Sequence, residues 1–151
     1  MAVITSRNAE DSKRFPGMQG QWRVSRHRFT ATPAVNDCFV MFGGNLQGYY
    51  FEDWWVSMDQ VDTNGAPTVV WDIGLINAGG TAVQAINGFQ WATGVTTLGR
   101  AARPSRVRDV DSVCSTWPAG GNRIGLCMTT GAATAAFGGK WLTMGVLLHP
   151  Q

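Results

Sequence analysis

An antiparallel all-β domain, a β-sandwich or jelly-roll-like single domain behind an extended N-terminal arm, is the fold class this sequence predicts. Three observations predict it. Nineteen glycines and seven tryptophans in 151 residues favour short strands and tight turns over helices. Several segments alternate apolar and polar residues with period two, which puts one face of a strand against a core. Turn residues punctuate these segments at short intervals, as in sandwiches and jelly rolls. The length fits one domain and is enough to bury a core without metals or disulfides.

The elements follow in order. Residues 1–21 mix charges, Ser, Asn and Pro16 without a period and read as an extended arm. The sandwich domain is then 22–151. From Trp22 the pattern becomes strand-like. Cys38-Phe39-Val40-Met41-Phe42 is a short apolar run stopped by Gly43-Gly44. A segment rich in Tyr49, Tyr50, Phe51, Trp54 and Trp55 comes next, and strand parity places Trp54 and Trp55 on opposite faces, so that one of them leaves the core. Asp62-Thr63-Asn64-Gly65 carries the composition of a hairpin turn. The clearest strand follows: Val69, Trp71, Ile73 and Leu75 share one face, Thr68, Val70, Asp72 and Gly74 the other. Residues 81–98 are ambiguous. Residues 100–111, with four Arg, two Asp and Pro104, read as a long surface loop with room for one helical turn. Ile124, Leu126 and Met128 alternate in a further strand, residues 131–139 form a small-residue connection, and Leu142, Met144, Val146 and Leu148 alternate in the last strand. No internal repeat at a solenoid or propeller period is present.

Charge is sparse, at 15% of residues with a net value of +2, against about a quarter in typical domains. Its placement is uneven. Arg7, Lys13, Arg14, Arg23, Arg26 and Arg28 are half of the twelve basic residues, and none recurs before Arg100. Six acids lie between: Asp37, Glu52, Asp53, Asp59, Asp62 and Asp72. A basic segment before an acidic body is either an arm that docks on an acidic surface or on nucleic acid, or a solvated terminus.

The chemistry-bearing residues are few. Cys38, Cys114 and Cys127 are odd in number and widely spaced, which argues against a disulfide scaffold and for synthesis in a reducing compartment. The start lacks the apolar stretch of a signal peptide, and no run approaches the roughly 18 apolar residues of a membrane span. His27 and His149 stand near opposite ends, with no zinc-ligand spacing and no nucleophile elbow. Gly120-Gly121-Asn122-Arg123-Ile124-Gly125 has the first spacing of a phosphate loop, but Leu126 stands where the lysine is needed. A calcium loop centred on Gly65 would need ligands at Gln60 and Trp71, and both are wrong. The close acids Glu52/Asp53 and Asp109/Asp111 read as surface carboxylates before a catalytic pair. No catalytic residue, cofactor or metal is expected.

Two stretches carry a resemblance. Asp62-Thr63-Asn64-Gly65-Ala66-Pro67-Thr68-Val69-Val70-Trp71-Asp72-Ile73-Gly74 resembles a turn and strand of small virion proteins of tailed bacteriophages. Arg123-Ile124-Gly125-Leu126, the Ala/Thr-rich stretch from Thr129 to Ala136, and Trp141-Leu142-Thr143 resemble their C-terminal strand pair. The resemblance spans about residues 37–148 and implies a capsid decoration, or cement, protein. Such proteins sit on the outer surface of the phage head, contact the major capsid protein and often form trimers, having been made in the host cytoplasm. The family assigns no individual residues; charge placement makes the basic segment (Arg7, Lys13, Arg14, Arg23, Arg26 and Arg28), with the apolar Phe15 and Trp22, and the second basic stretch Arg100, Arg103, Arg106 and Arg108 the candidate contact residues. No membrane and no direct nucleic-acid contact is expected. The competing readings are a carbohydrate-binding sandwich, whose site would use the aromatics at 49–55 with the acids at 52–53, and a head–tail or tail component.

Overall fold

The computed structural model describes residues 20–43, 49–84, 90–108, 115–116 and 123–150. Among them the chain forms nine strands and no helix: β1 (Gln21–Arg28), β2 (Cys38–Gly43), β3 (Tyr49–Met58), β4 (Val70–Leu75), β5 (Gln90–Val95), β6 (Ser105–Arg108), β7 (Ser115–Thr116), β8 (Arg123–Thr130) and β9 (Trp141–Pro150). Every pairing is antiparallel. One sheet has the order β1-β9-β3-β6, with β7 also on β3, and the other has the order β2-β8-β4-β5.

The pairing is nested. The first strand pairs with the last, β2 with β8, β3 with β6 and β7, and β4 with β5. The chain is thus one long hairpin folded over on itself, which is the jelly roll. The all-β, jelly-roll-like expectation holds.

Alternation builds the core as the sequence predicts. Val69, Trp71, Ile73 and Leu75 are fully buried, as are Ile124, Leu126, Leu142, Met144 and Val146. Phe29 meets Phe39 and Phe137 edge-on, with ring centroids 5.1 Å apart in each pair, a favoured aromatic geometry. Trp54 stacks on Trp91 with centroids 5.7 Å apart. In β3 the register on β9 slips between Phe51 and Asp53. Glu52 is the extra residue of a bulge, so Phe51 and Trp54 both face inward although three positions apart.

Three expectations need correction. Within residues 100–111, expected to be a loop, Ser105–Arg108 is a strand on the edge of β3. Pro104 stands just before it, where no ladder N–H is needed, and its arginines suit an edge strand. The Asn64-Gly65 turn is not a hairpin: β3 and β4 belong to different sheets, and the turn carries the chain between them. Asn64 keeps a negative φ, Asn36 being the one non-glycine with a positive φ among the described residues. Cys38 and Cys127 form a disulfide. They are directly opposed on β2 and β8, a proximity created by register across 89 residues of separation and invisible to cysteine spacing. The described residues include no helix long and apolar enough to cross a membrane.

Candidate docking face

Residues directly opposed in an antiparallel pair share a face, so the register of the β1-β9-β3-β6 sheet can be read as rows. Inward rows carry Met144, Val146 and Leu148 with Val56, Trp54 and Phe51. The outward rows are different. Arg28 opposes Trp141. Arg26, Thr143, Ser57 and Arg106 form the next row, then Val24, Gly145, Trp55 and Arg108, then Trp22, Leu147 and Asp53. Rows lie about 7 Å apart and strands about 4.8 Å apart.

The middle of this face is built on a glycine. Gly145 interrupts the β9 pattern, and a Cβ there would fall inside the indole of Trp55. Trp55 therefore lies flat on bare backbone, half-buried. The Arg106 guanidinium covers its other side, 4.4 Å from a ring centroid. Arg26 stands over Trp141 at the same distance, and Trp141 is 37% exposed. Each stack is a cation–π contact that holds a long side chain in place while leaving its N–H donors available. Among the described residues no carboxylate pairs with Arg26, Arg28 or Arg106. Trp22, Val24 and Leu147 are half-buried on the same face. Glu52 lies at the Leu147 end, next to Gly20.

Part of the outward face of the other sheet is covered by the chain itself. Ile76 bridges to Val83, and both pack over Cys127 and its partner Cys38. Arg123 Nη2 donates to the carbonyls of Asn77 and Ala78, at 2.6 and 2.8 Å, and holds the 76–84 loop in place. Asp72 Oδ1 accepts the Gly94 N–H. Val40, 46% exposed, stands on the edge strand β2.

Asp62 is buried, with no exposed surface. Its Oδ1 accepts the N–H groups of Thr134 and Asn64, and its Oδ2 those of Thr68, Ala133 and Val69. Burial pushes its pKa up, but the backbone donors, led by Thr134, Ala133 and Thr68, outweigh this and hold it well below the usual carboxylate range. A carboxylate so held has no proton to donate near neutrality. It ties the 62–69 segment to the 131–135 segment. No group of three His, Cys, Asp or Glu among the described residues could hold a metal ion.

The basic and apolar residues singled out in the sequence divide as follows. Trp22, Arg26, Arg28 and Arg106 come together on the outward face, with Arg108 at a register position in its third row. Arg23 opposes Val146, on the inward parity, and is exposed at the sheet edge, donating to Gln21 Oε1. Arg100 turns inward: its Nε and Nη2 donate to the Val69 carbonyl at 2.9 and 2.7 Å. Arg103 is exposed on the connection before β6. Arg7, Lys13, Arg14 and Phe15 lie outside the described residues, as do residues 1–19 of the arm expected at 1–21. The aromatic run of the sugar-binding reading is split: Phe51 and Trp54 belong to the core, while Trp55 is on the face. Trp141, Gly145 and Leu147 were not anticipated; the sequence signals for the face were the placement of Arg26, Arg28 and Arg106 and the opposed parity of Trp54 and Trp55.

No protein-family model matches the chain, and no curated protein does either. Solved structures do. A chain of the cyanophage Pam1 capsid asymmetric unit superposes with a TM-score of 0.67 at 20% identity, covering 89% of this chain and 89% of that one. A chain of the capsid of Ralstonia phage GP4 superposes with a TM-score of 0.65 at 20% identity, covering 91% of this chain and 88% of that one. At this identity the likeness establishes a shared fold.

Proposed function

We propose that this chain is a non-enzymatic structural protein of a phage particle. Its role is that of a decoration, or cement, protein, bound to the outside of the head and stabilising the major capsid lattice. The observation that carries the reading is the fold shared, over about nine-tenths of both chains, with chains of two phage capsids. Two further features support it. One sheet presents an outward face of tryptophan and arginine, the residues enriched at protein interfaces, while its own loop covers part of the other sheet. That asymmetry suits a protein that docks by one side better than a subunit joined to neighbours all round. A cross-strand disulfide suits an oxidising location such as a virion surface.

The physical logic is linkage. A protein that binds the assembled lattice better than free subunits stabilises the lattice by mass action. A homotrimer at a local threefold position would contact several major capsid subunits at once, and its weak contacts would sum through effective concentration. Basic residues of the 1–21 segment, Arg7, Lys13 and Arg14, would add pairs with shell carboxylates, with Phe15 as an apolar anchor.

The test is reconstitution. Purified protein is mixed with particles that lack it, the particles are pelleted, and heat-induced DNA release is followed. Saturable binding at fixed stoichiometry with a raised release temperature is the expected result. No binding to mature particles overturns the decoration role. A glycan array run in parallel then tests the carbohydrate-binding reading, and labelling of intact virions tests for a tail component or for the major shell subunit.

A further inference from the structure

We infer that the outward face of the β1-β9-β3-β6 sheet is the surface by which this protein docks, and that the partner it fits is a protein surface bearing carboxylates. The inference rests on the capsid reading for the partner's identity and goes beyond it by naming the face and the chemistry that recognises it.

Charge complementarity is the argument. Arg26, Arg28 and Arg106 project from three different strand positions onto one half of the face. Each lacks a carboxylate among the described residues. Two of them are stacked on indoles, so their orientation is largely set before any partner arrives. The entropy cost of forming a bidentate pair is correspondingly reduced. A planar fork of N–H donors is matched by a carboxylate.

The apolar groups decide between a protein and a polyphosphate. Trp22, Val24, Trp55 and Leu147 lie between and beside the arginines, and Trp141 is partly open. An aromatic centre with arginine at its rim is the anatomy of a protein–protein interface. Nucleic-acid binding draws its strength from many phosphate contacts. Here the whole chain carries a net charge of only +2, and Glu52 stands at one end of the same face, where it would repel a phosphate backbone.

The experiment uses the full chain and particles that lack it, with three variants of confirmed melting temperature. Arg26→Glu/Arg106→Glu reverses the two stacked cations. Arg26→Gln/Arg106→Gln removes their charge with less risk to the sheet. Val40→Glu adds an acid to the opposite sheet. Binding weakened on the order of a hundredfold by the Glu pair and tenfold by the Gln pair, with Val40→Glu binding as wild type, is the expected pattern. Full-strength binding by both arginine pairs, with wild type also bound, overturns the face and leaves the decoration role standing. Wild type failing to bind particles overturns the decoration role, and this inference with it. Wild type binding a 30-base-pair DNA duplex more tightly than particles, with that binding lost in the Glu pair, overturns the protein partner in favour of phosphate.

Discussion

Asp62→Asn perturbs the one fully buried charge among the described residues with almost no change of shape. The carboxylate accepts five backbone N–H groups, two at Oδ1 and three at Oδ2. An amide keeps a single acceptor oxygen. Its best placement puts that oxygen at the three-donor position and turns the NH2 towards the N–H groups of Asn64 and Thr134. Each buried donor left without an acceptor costs about 1–3 kcal/mol. Both of these donors are only partly buried, so the lower half of the range applies and the loss is about 2–4 kcal/mol. In a chain of this size that lowers Tm by roughly 10 °C. The pH dependence has a definite sign. The folded pKa is depressed, so the stabilisation is complete above the unfolded carboxyl value of about 4 and drains away as pH falls below it. The gap between wild type and Asp62→Asn is therefore widest above about pH 5 and narrows towards pH 3. Urea unfolding followed by tryptophan fluorescence at pH 7, 5, 4 and 3 measures this directly, with an unchanged m-value confirming that the same surface unfolds. A loss below about 0.5 kcal/mol at pH 7, or a gap that stays constant down to pH 3, refutes the reasoning.

Cys38→Ser opens a link across 89 residues and costs about 2–4 kcal/mol; dithiothreitol brings wild type down to the same urea midpoint, and denatured, unreduced protein shows one reactive thiol per chain where an unbridged chain would show three. Gly145→Ala drives a methyl into the Trp55 indole and destabilises by about 1–3 kcal/mol, with a shift in tryptophan emission as the ring lifts from the sheet; an unchanged spectrum and melt count against the flat packing. Arg100→Met keeps the apolar stem but removes both hydrogen bonds to the Val69 carbonyl, costing about 1.5–3 kcal/mol by thermal melt, and a neutral result would mean that water replaces the guanidinium.

What could be read from the sequence was what repeats locally. The β4, β8 and β9 alternations are period two over five to seven residues, and their inward residues are buried as that period requires. What could not be read depends on pairing across the chain. Asp62 sits in a stretch whose local composition is that of a turn, while two of its donors lie 71 and 72 residues away. The bulge at Glu52 shifts parity in mid-strand, so alternation alone places Phe51 and Trp54 on opposite faces when both face the core. The disulfide follows from β2–β8 register. β6 has four residues, too few to carry a visible period beside Pro104. The proposed docking face was half legible: charge placement picked out Arg26, Arg28 and Arg106, but β9 and β3 stand between their strands and bring them to one surface. The same charge placement drew in Arg100, whose guanidinium instead caps a carbonyl of the core.

Cryo-electron microscopy of the intact particle tests the central claim most directly. The account predicts density for this jelly roll outside the continuous shell, with the Trp55 and Trp141 face turned towards the major capsid protein. Density that places the fold within the shell lattice itself, or only in the tail, contradicts it.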